Sequence, residues 1–238
     1  MKTSKARDIL IAVSKKHNGE WDKIYHDISN GTFDDECEPS TDKCITILDK
    51  EYPERLRNDC YRPPFVLYYE GDINLLKGYV AKIAIASPKS QNIRLENMFD
   101  KVYSNDYIYI VDESALSKYV IKTLNMKVIY IVSDMENADK KLVQKVVENG
   151  GLVISENSLD LLAHYRIMAS LCDKALVVAC SQRSGGNLLV SFTLQQGKDV
   201  LVIPLSPLDN VDYANNTFIA EGAIPVWDKE TFEQGSRL

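Results

Sequence analysis

The feature that most constrains this sequence is an alternation, from about residue 44 onward, of short Val/Ile-rich runs with amphipathic segments. The apolar runs are far shorter than the ~20 residues that span a bilayer. They are apolar at consecutive positions, which is typical of strands buried on both faces of a parallel sheet. Strands that alternate with helices predict a Rossmann-like α/β fold, with a doubly wound, mostly parallel sheet.

The predicted elements follow this alternation along the chain. Two apolar segments come first, Cys44–Leu48 and Phe65–Tyr69, and later strands are predicted at Lys82–Ala86, Tyr107–Val111, Val128–Val132, Leu152–Ile154, Ala175–Ala179 and Val200–Ile203. A short helix opens at Tyr52–Leu56, and longer helices are predicted at Gln91–Lys101, Glu113–Leu124, Asn137–Asn149, Leu159–Leu171 and Asn187–Gln196. In such sheets, ligands bind beyond the carboxyl ends of the strands.

The N-terminal part of the chain has a different pattern. Apolar residues at helical spacing predict two helices within 4–29, separated by a break at Gly19. The stretch Thr32–Lys43 is acidic and aperiodic, which indicates a linker. We therefore expect a helical N-terminal domain with its acidic linker at 1–43 and a Rossmann-like domain at 44–238.

Composition narrows the classes of protein. With 238 residues, 45% of them hydrophobic, the chain can build a globular core without disulfide or metal staples. A net charge of −6 argues against nonspecific coating of nucleic acid, although a local basic pocket remains compatible with it. The five cysteines form no C-x-x-C pair, which predicts reduced thiols and no metal site. No signal-type apolar core follows the start of the chain, so we expect a cytoplasmic protein that is not in a membrane. We expect no cofactor.

The strongest local signal for a site is Ser181–Asn187, which follows a predicted strand and opens a helix. Gly185 and Gly186 leave backbone amides open to an anion at the positive end of the helix. Ser184 adds a hydroxyl, and Arg183 adds a guanidinium that can donate two hydrogen bonds to one phosphate. A glycine-containing turn that only caps the helix is an equally good interpretation. The pattern by itself leaves both open.

Three further cations are candidates for the same site. Arg166 lies in the predicted helix after Ile154, where it either faces the strand-end crevice or is a solvated helical cation. Lys89 follows the strand Lys82–Ala86, but its loop has no glycine and Pro88 has no amide to donate. Lys198 adds to a slightly basic segment at 164–200.

No catalytic constellation emerges from the sequence. His164 is the only histidine near the predicted crevice, and Asp112 and Glu156 are strand-end carboxylates without an identifiable partner. Cys180 ends an apolar strand, where a buried inert thiol is expected rather than a nucleophile. We therefore predict that the protein is not an enzyme.

Several segments, taken in order, carry a family resemblance. They are Tyr52–Leu56 with Pro63–Asp72 ("YP..L … PP.LY..G"), Gly150–Glu156 ("G..iSE"), Tyr165–Ala169 ("RNRIIAGL"), Lys174–Cys180 with Ser184–Gly186, Gln195–Lys198 with Val200–Pro204, and Asn216–Ala223 ("N.LI..GA"). In this order, over about 44–226, the chain resembles the DNA-processing protein A (Smf) family.

This resemblance implies a function and a site. It implies a non-catalytic homodimer that binds single-stranded DNA and loads a RecA-type recombinase during natural transformation. The implied DNA-binding residues are Lys89, Arg166, Arg183, Ser184, Gly185, Gly186, Asn187 and Lys198. The sequence departs from the family where "GSR" is Ser87-Pro88-Lys89, where the "SG.A.GiD..AH" region (Tyr103–Leu124) has no glycine, and where Leu205 replaces the glycine of "VPG".

Two alternatives remain from other functional classes. A nucleotide-sensing or partner-binding Rossmann module that has lost DNA binding would explain the departures from the family motifs. A nucleotide phosphoribohydrolase would need a "GG.GT..E" loop, and Gly185-Gly186 is followed here by neither the threonine nor the carboxylate. Without that acid the cleavage has no evident general base.

Overall fold

The computed structural model describes residues 5–34, 36–90, 92–206 and 213–236, and gives no side-chain placement for Leu161. Residues 1–4, Asp35 of the predicted linker and Gln91, the predicted start of one helix, lie outside the described residues. The strands are β1 Cys44–Thr46, β2 Val66–Gly71, β3 Lys82–Ala86, β4 Ile108–Val111, β5 Val128–Ile131, β6 Leu152–Ser155, β7 Lys174–Val177, β8 Val200–Val202 and β9 Ile224–Pro225.

The helices connect these strands. They are α1 Lys5–Lys16, α2 Trp21–Asn30, α3 Glu54–Asn58, α4 Ile93–Val102, α5 Ala115–Lys122, α6 Lys140–Glu148, α7 Leu161–Leu171, α8 Gly186–Gln195, α9 Asn215–Ala220 and α10 Lys229–Ser236, with a short 3-10 helix at Ile73–Leu76. No helix in the described ranges is both long and apolar enough to cross a bilayer.

The strands form one sheet in the order β1-β2-β6-β5-β4-β3-β7-β8-β9. The neighbours from β6 through β9 are parallel, whereas β2 pairs antiparallel with both β1 and β6. Chain order reverses between β3 and β7, because β4 lies on one side of β3 and β8 on the far side of β7. The predicted doubly wound, mostly parallel α/β fold is confirmed.

Both faces of the central strands are buried, which explains their uninterrupted apolar sequence. In β3, Ile83 and Ile85 pack into the core on one face, and Ala84 and Ala86 pack into the core on the other. This is the two-residue periodicity of a strand covered by helices on both sides. The central strands whose carboxyl ends position the site are thus part of the buried core.

The N-terminal helices pack against the antiparallel edge of the sheet. Ile11 and Val13 of α1 and Ile24 of α2 share a core cluster with Val66 and Tyr68 of β2. At Gly19, between α1 and α2, a Cβ atom would overlap the carbonyl oxygen of Glu156, so the turn needs glycine to approach the sheet. The proposed domain boundary at residue 43 stays a prediction.

Candidate functional site

The reversal of chain order between β3 and β7 creates a crevice at the carboxyl edge of the sheet. The chain leaves β3 toward α4 and leaves β7 toward α8, so the two loops diverge above neighbouring strands. Such switch points are the usual ligand-binding positions of open α/β sheets. The crevice lies between Ser87–Ser90, which we call the β3 loop, and Ser181–Asn187, which we call the α8 turn.

The α8 turn is organised by its own hydrogen bonds. The amide of Ser184 donates to the carbonyl of Ser181 at 3.0 Å, and the amide of Asn187 donates to the carbonyl of Ser184 at 3.1 Å. The Asn187 side-chain amide donates to the carbonyl of Gln182. The amides of Gly185 and Gly186 find no acceptor among the described residues. They remain available at the positive end of α8.

Two predicted cations lie on opposite sides of this crevice. Lys89 of the β3 loop and Arg183 of the α8 turn are both exposed. Neither forms an ion pair with a residue in the described ranges. The structure thus brings Lys89, Arg183, Ser184, Gly185, Gly186 and Asn187 to one edge of the sheet.

The two glycines of the α8 turn have packing roles that the sequence did not reveal. A Cβ atom on Gly185 would overlap the ring of Tyr165 in α7. A Cβ atom on Gly186 would lie 2.8 Å from the Sγ of Cys180 and 3.3 Å from the Cβ of Ala86. Glycine is therefore required for α8 to begin directly above β3 and beside α7. The two interpretations of the turn, helix packing and anion binding, are compatible.

Arg166 occupies a different environment from the expected one. Its Nη2 donates to both carboxylate oxygens of Glu156 at 2.6 Å, and Nη1 lies 3.8 Å from the Sγ of Cys60. Arg166 is only 3% exposed and borders a cavity of about 380 Å³ beside the turn between α1 and α2. Arg166 is therefore neither a free cation facing the crevice nor a solvated helical cation, the two interpretations that the sequence left open, because its guanidinium is already committed to a buried carboxylate.

Lys198 also lies away from the crevice. It lies two positions before β8 and so at the amino edge of the parallel sheet. Its ammonium donates to the carbonyls of Ala169 and Ser170 at the end of α7, at 2.6 and 3.2 Å. Burial lowers the pKa of Lys198. Lys198 satisfies the C-terminal carbonyls of a helix, and the structure does not join it to the proposed DNA site.

A buried polar network below the crevice was not anticipated. The hydroxyl of Tyr165 donates to Asp112 Oδ2 at 3.1 Å, and the amide of Ser114 donates to Asp112 Oδ1 at 3.1 Å. The hydroxyl of Ser87 donates to that of Ser114 at 2.8 Å. Sequence position identified Asp112 as a strand-end carboxylate, but nothing in the sequence indicates which way Tyr165 points from α7.

The titratable groups of this network are strongly affected by burial. Burial raises the pKa of the Asp112 carboxyl, against the opposing effect of its hydrogen bonds from Ser114 and Tyr165. Burial lowers the pKa of His164, which is 8% exposed. Its Nε2 has no hydrogen-bond partner among the described residues. Cys180 is buried with a raised pKa, as expected for an unreactive thiol.

The fold and the crevice first define a class: a Rossmann-like α/β protein with a glycine turn and two exposed cations, Lys89 and Arg183, at its switch point. Within that class, the family model described as DNA recombination-mediator protein A matches residues 43–235. The chain belongs to this family. The resemblance found in the order of its sequence segments is thereby confirmed.

Individual relatives agree with this assignment. The chain is 29% identical over 198 residues to the DNA processing protein DprA of Streptococcus pneumoniae, covering 75% of this chain and 69% of that protein. It is 25% identical over 208 residues to the protein Smf of Borreliella burgdorferi, covering 78% of this chain and 61% of that protein.

Two solved structures share the fold. The X-ray structure of DNA processing protein A from S. pneumoniae superposes with a TM-score of 0.73 at 20% identity and covers 100% of both chains. The DNA processing protein A of Helicobacter pylori, whose structure was described for its single-stranded DNA binding mode, superposes with a TM-score of 0.65 at 18% identity. That match covers 83% of this chain and 97% of the other.

Proposed function

We propose that this protein binds single-stranded DNA in the switch-point crevice and assists the loading of a RecA-type recombinase during natural transformation, without catalysing a reaction. Family membership supports the DNA-processing role, and the description of the H. pylori relative supports single-stranded DNA as the ligand. A homodimer and a cytoplasmic location belong to the same proposal and rest on family membership and thiol usage.

The observation that carries the proposal is the pair of exposed cations on adjacent loops, Lys89 and Arg183, for which the described part of the chain offers no ion-pair partner. Between them, the amides of Gly185 and Gly186 lie at the start of α8 without acceptors in the described structure. Cations and helix N-terminal amides are the groups that bind phosphates. The chain as a whole is acidic, with a net charge of −6, which would confine a DNA strand to such a local site.

The proposed DNA-binding residues are therefore Lys89, Arg183, Ser184, Gly185, Gly186 and Asn187. The proposal omits Arg166 because exposing its guanidinium would break a buried pair with Glu156. Breaking such a pair leaves an uncompensated charge, which typically costs about 3–5 kcal/mol. It omits Lys198 because of its position at the amino edge of the sheet.

Fluorescence anisotropy with labelled oligo-dT of increasing length tests the proposal. We expect Lys89→Gln and Arg183→Gln each to weaken binding by about 1.5–3 kcal/mol, the scale of hydrogen bonds to charged groups. Each should also make the dependence of log affinity on log salt shallower by about 0.7. Lys122→Gln is the matched control, since Lys122 is an exposed cation at the C-terminal end of α5.

The outcomes separate the functional classes. Binding that grows with oligo-dT length and weakens in both crevice variants, but not in Lys122→Gln, supports the proposal. Equal competition by mononucleotides without length dependence would instead assign the crevice to a nucleotide-sensing module. Release of free base from nucleoside monophosphates would overturn the absence of catalysis.

A further inference from the structure

Beneath the crevice, a chain of contacts runs from the α8 turn to the β3 loop. On the α8 side, the ring of Tyr165 lies directly against Gly185, leaving no room for a Cβ atom there. The ring thus supports the α8 turn by packing against it. Tyr165 is only 6% exposed, so its position is set by the protein interior and not by solvent.

The hydroxyl of Tyr165 connects this supporting ring to the end of β4. It donates to Asp112, which is 5% exposed and follows β4 directly. The second carboxylate oxygen of Asp112 accepts the amide of Ser114. Each oxygen of the buried carboxylate thus has a donor, one from α7 and one from the start of α5. Such a fully satisfied buried network holds its members in one geometry.

The contacts then continue to the β3 loop. Ser114 and Ser87 are joined through their hydroxyls at 2.8 Å, and the Ser114 hydroxyl also lies 2.8 Å from that of Ser117 in α5. Ser87 is the first residue of the β3 loop and lies two positions before Lys89. The network Gly185–Tyr165–Asp112–Ser114–Ser87 therefore spans the crevice floor between the loops that carry Arg183 and Lys89.

We propose that Tyr165 and Asp112 are positioning residues, which hold the α8 turn and the β3 loop at a fixed separation. At this separation Arg183 and Lys89 can bind one DNA strand at the same time. This inference rests on the proposed function and goes further, because it assigns binding strength to two buried side chains that do not touch the ligand. When two contacts are held at a fixed spacing, forming the first raises the effective concentration of the second. The network supplies that fixed spacing.

Tyr165→Phe is the decisive variant. It keeps the ring against Gly185 but removes the hydrogen bond to Asp112. We expect it to weaken oligo-dT binding by about three- to tenfold, the effect of losing one hydrogen bond and the spacing that it fixes. Asp112→Asn should act in the same direction, because an amide cannot accept from both Tyr165 and the Ser114 amide through separate oxygens.

Tyr107→Phe is the matched control. Its hydroxyl forms a hydrogen bond of 2.7 Å with Ser236, before the amino end of β4 and far from the crevice. The Tyr107→Phe variant also removes a hydrogen bond made by a tyrosine hydroxyl, and it should leave oligo-dT affinity unchanged. Thermal unfolding of all three variants, measured in parallel, reports any general loss of stability.

A double-mutant cycle provides a readout that a merely structural role would not change. Lys89→Gln and Arg183→Gln are measured singly and together, in the parent and in the Tyr165→Phe background. In the parent we expect coupling, with the double variant weakened by less than the product of the two single effects. In the Tyr165→Phe background we expect the two effects to multiply independently.

The results distinguish this inference from the proposed function. Absence of length-dependent oligo-dT binding by the parent protein overturns both. If the parent binds and the two cation variants weaken binding, but Tyr165→Phe leaves affinity and coupling unchanged, only the positioning role is overturned. Weaker binding by Tyr165→Phe with intact coupling also overturns it, since the loops would then still act as a unit.

Discussion

At the scale of single residues, His164 shows how burial creates pH sensitivity. The imidazole is buried, and burial outweighs the opposing influence of the Glu113 and Asp112 charges, so its pKa lies below the ordinary value of 6.5. In the unfolded chain the same side chain binds a proton near pH 6.5. At this position the unfolded chain therefore binds more protons than the folded protein, and the contribution of His164 to stability falls as the pH drops through this window.

This argument predicts the behaviour of His164→Gln. Between about pH 7 and pH 5, the variant should lose less thermal stability than the parent protein, because it lacks the group that must stay neutral in the folded state. Melting temperatures at closely spaced pH values measure the difference. His26→Gln is the control, since the His26 side chain is 71% exposed. Parallel acid profiles for parent and His164→Gln would contradict the assignment.

At the scale of elements, the start of α8 depends on how closely a helix can approach a strand. Gly186 begins α8, with Cys180 and Ala86 within 3.4 Å of the position that a Cβ atom would occupy. A Gly186 variant thus changes the helix–sheet contact before it changes any ligand contact. A Gly186 variant therefore does not test backbone approach to DNA by itself.

We expect Gly186→Ala to destabilise the protein by about 1–3 kcal/mol, the usual cost of overpacking a well-packed core. Cys180→Ala in the same chain should restore part of this loss, because it removes the nearest atom, the Sγ at 2.8 Å. Gly78→Ala is the control, since its nearest neighbouring atom lies 3.9 Å from the added Cβ. Urea unfolding measures all three, and an undiminished stability of Gly186→Ala would refute the packing argument.

At the scale of the whole molecule, the described part of Thr32–Lys43 crosses between the N-terminal helices and the sheet without forming a helix or strand of its own. We expect limited proteolysis to cut within this stretch before it cuts within 81–204, because a segment with no helix or strand, in which only Phe33 and Cys37 of the described residues pack against a core cluster, opens easily. Mass spectrometry of the first fragments identifies the sites. First cuts inside the sheet would refute the proposed division of the chain.

The cut protein should nevertheless stay together. An apolar contact joins the N-terminal helices to β2: Ile11, Val13 and Ile24 are buried against Val66 and Tyr68. This contact remains after the chain is cut. We expect both fragments to elute as one species in gel filtration and to separate only in denaturant. Separation under native conditions would show that the helices are held mainly by the chain connection.

Much of the fold was predictable, because a buried strand and an amphipathic helix are each recognisable within a few consecutive residues. β3 was predicted with its observed bounds, and α8 was displaced by one residue. β9, with two residues, and the helices α9 and α10 were missed. Elements this short depend on tertiary contacts, such as the packing of Phe232 into the core.

The sequence by itself determined the fold class, the family and the position of the α8 turn after a buried strand, because those signals are local or lie in the order of segments. Tertiary structure alone decided that Arg166 pairs with Glu156, that Lys198 donates to the carbonyls at the end of α7, and that Tyr165 supports Gly185. A side chain's partner depends on the rotation of its helix and on which strands become neighbours. Both are set by packing among residues far apart in the chain, which no local pattern records.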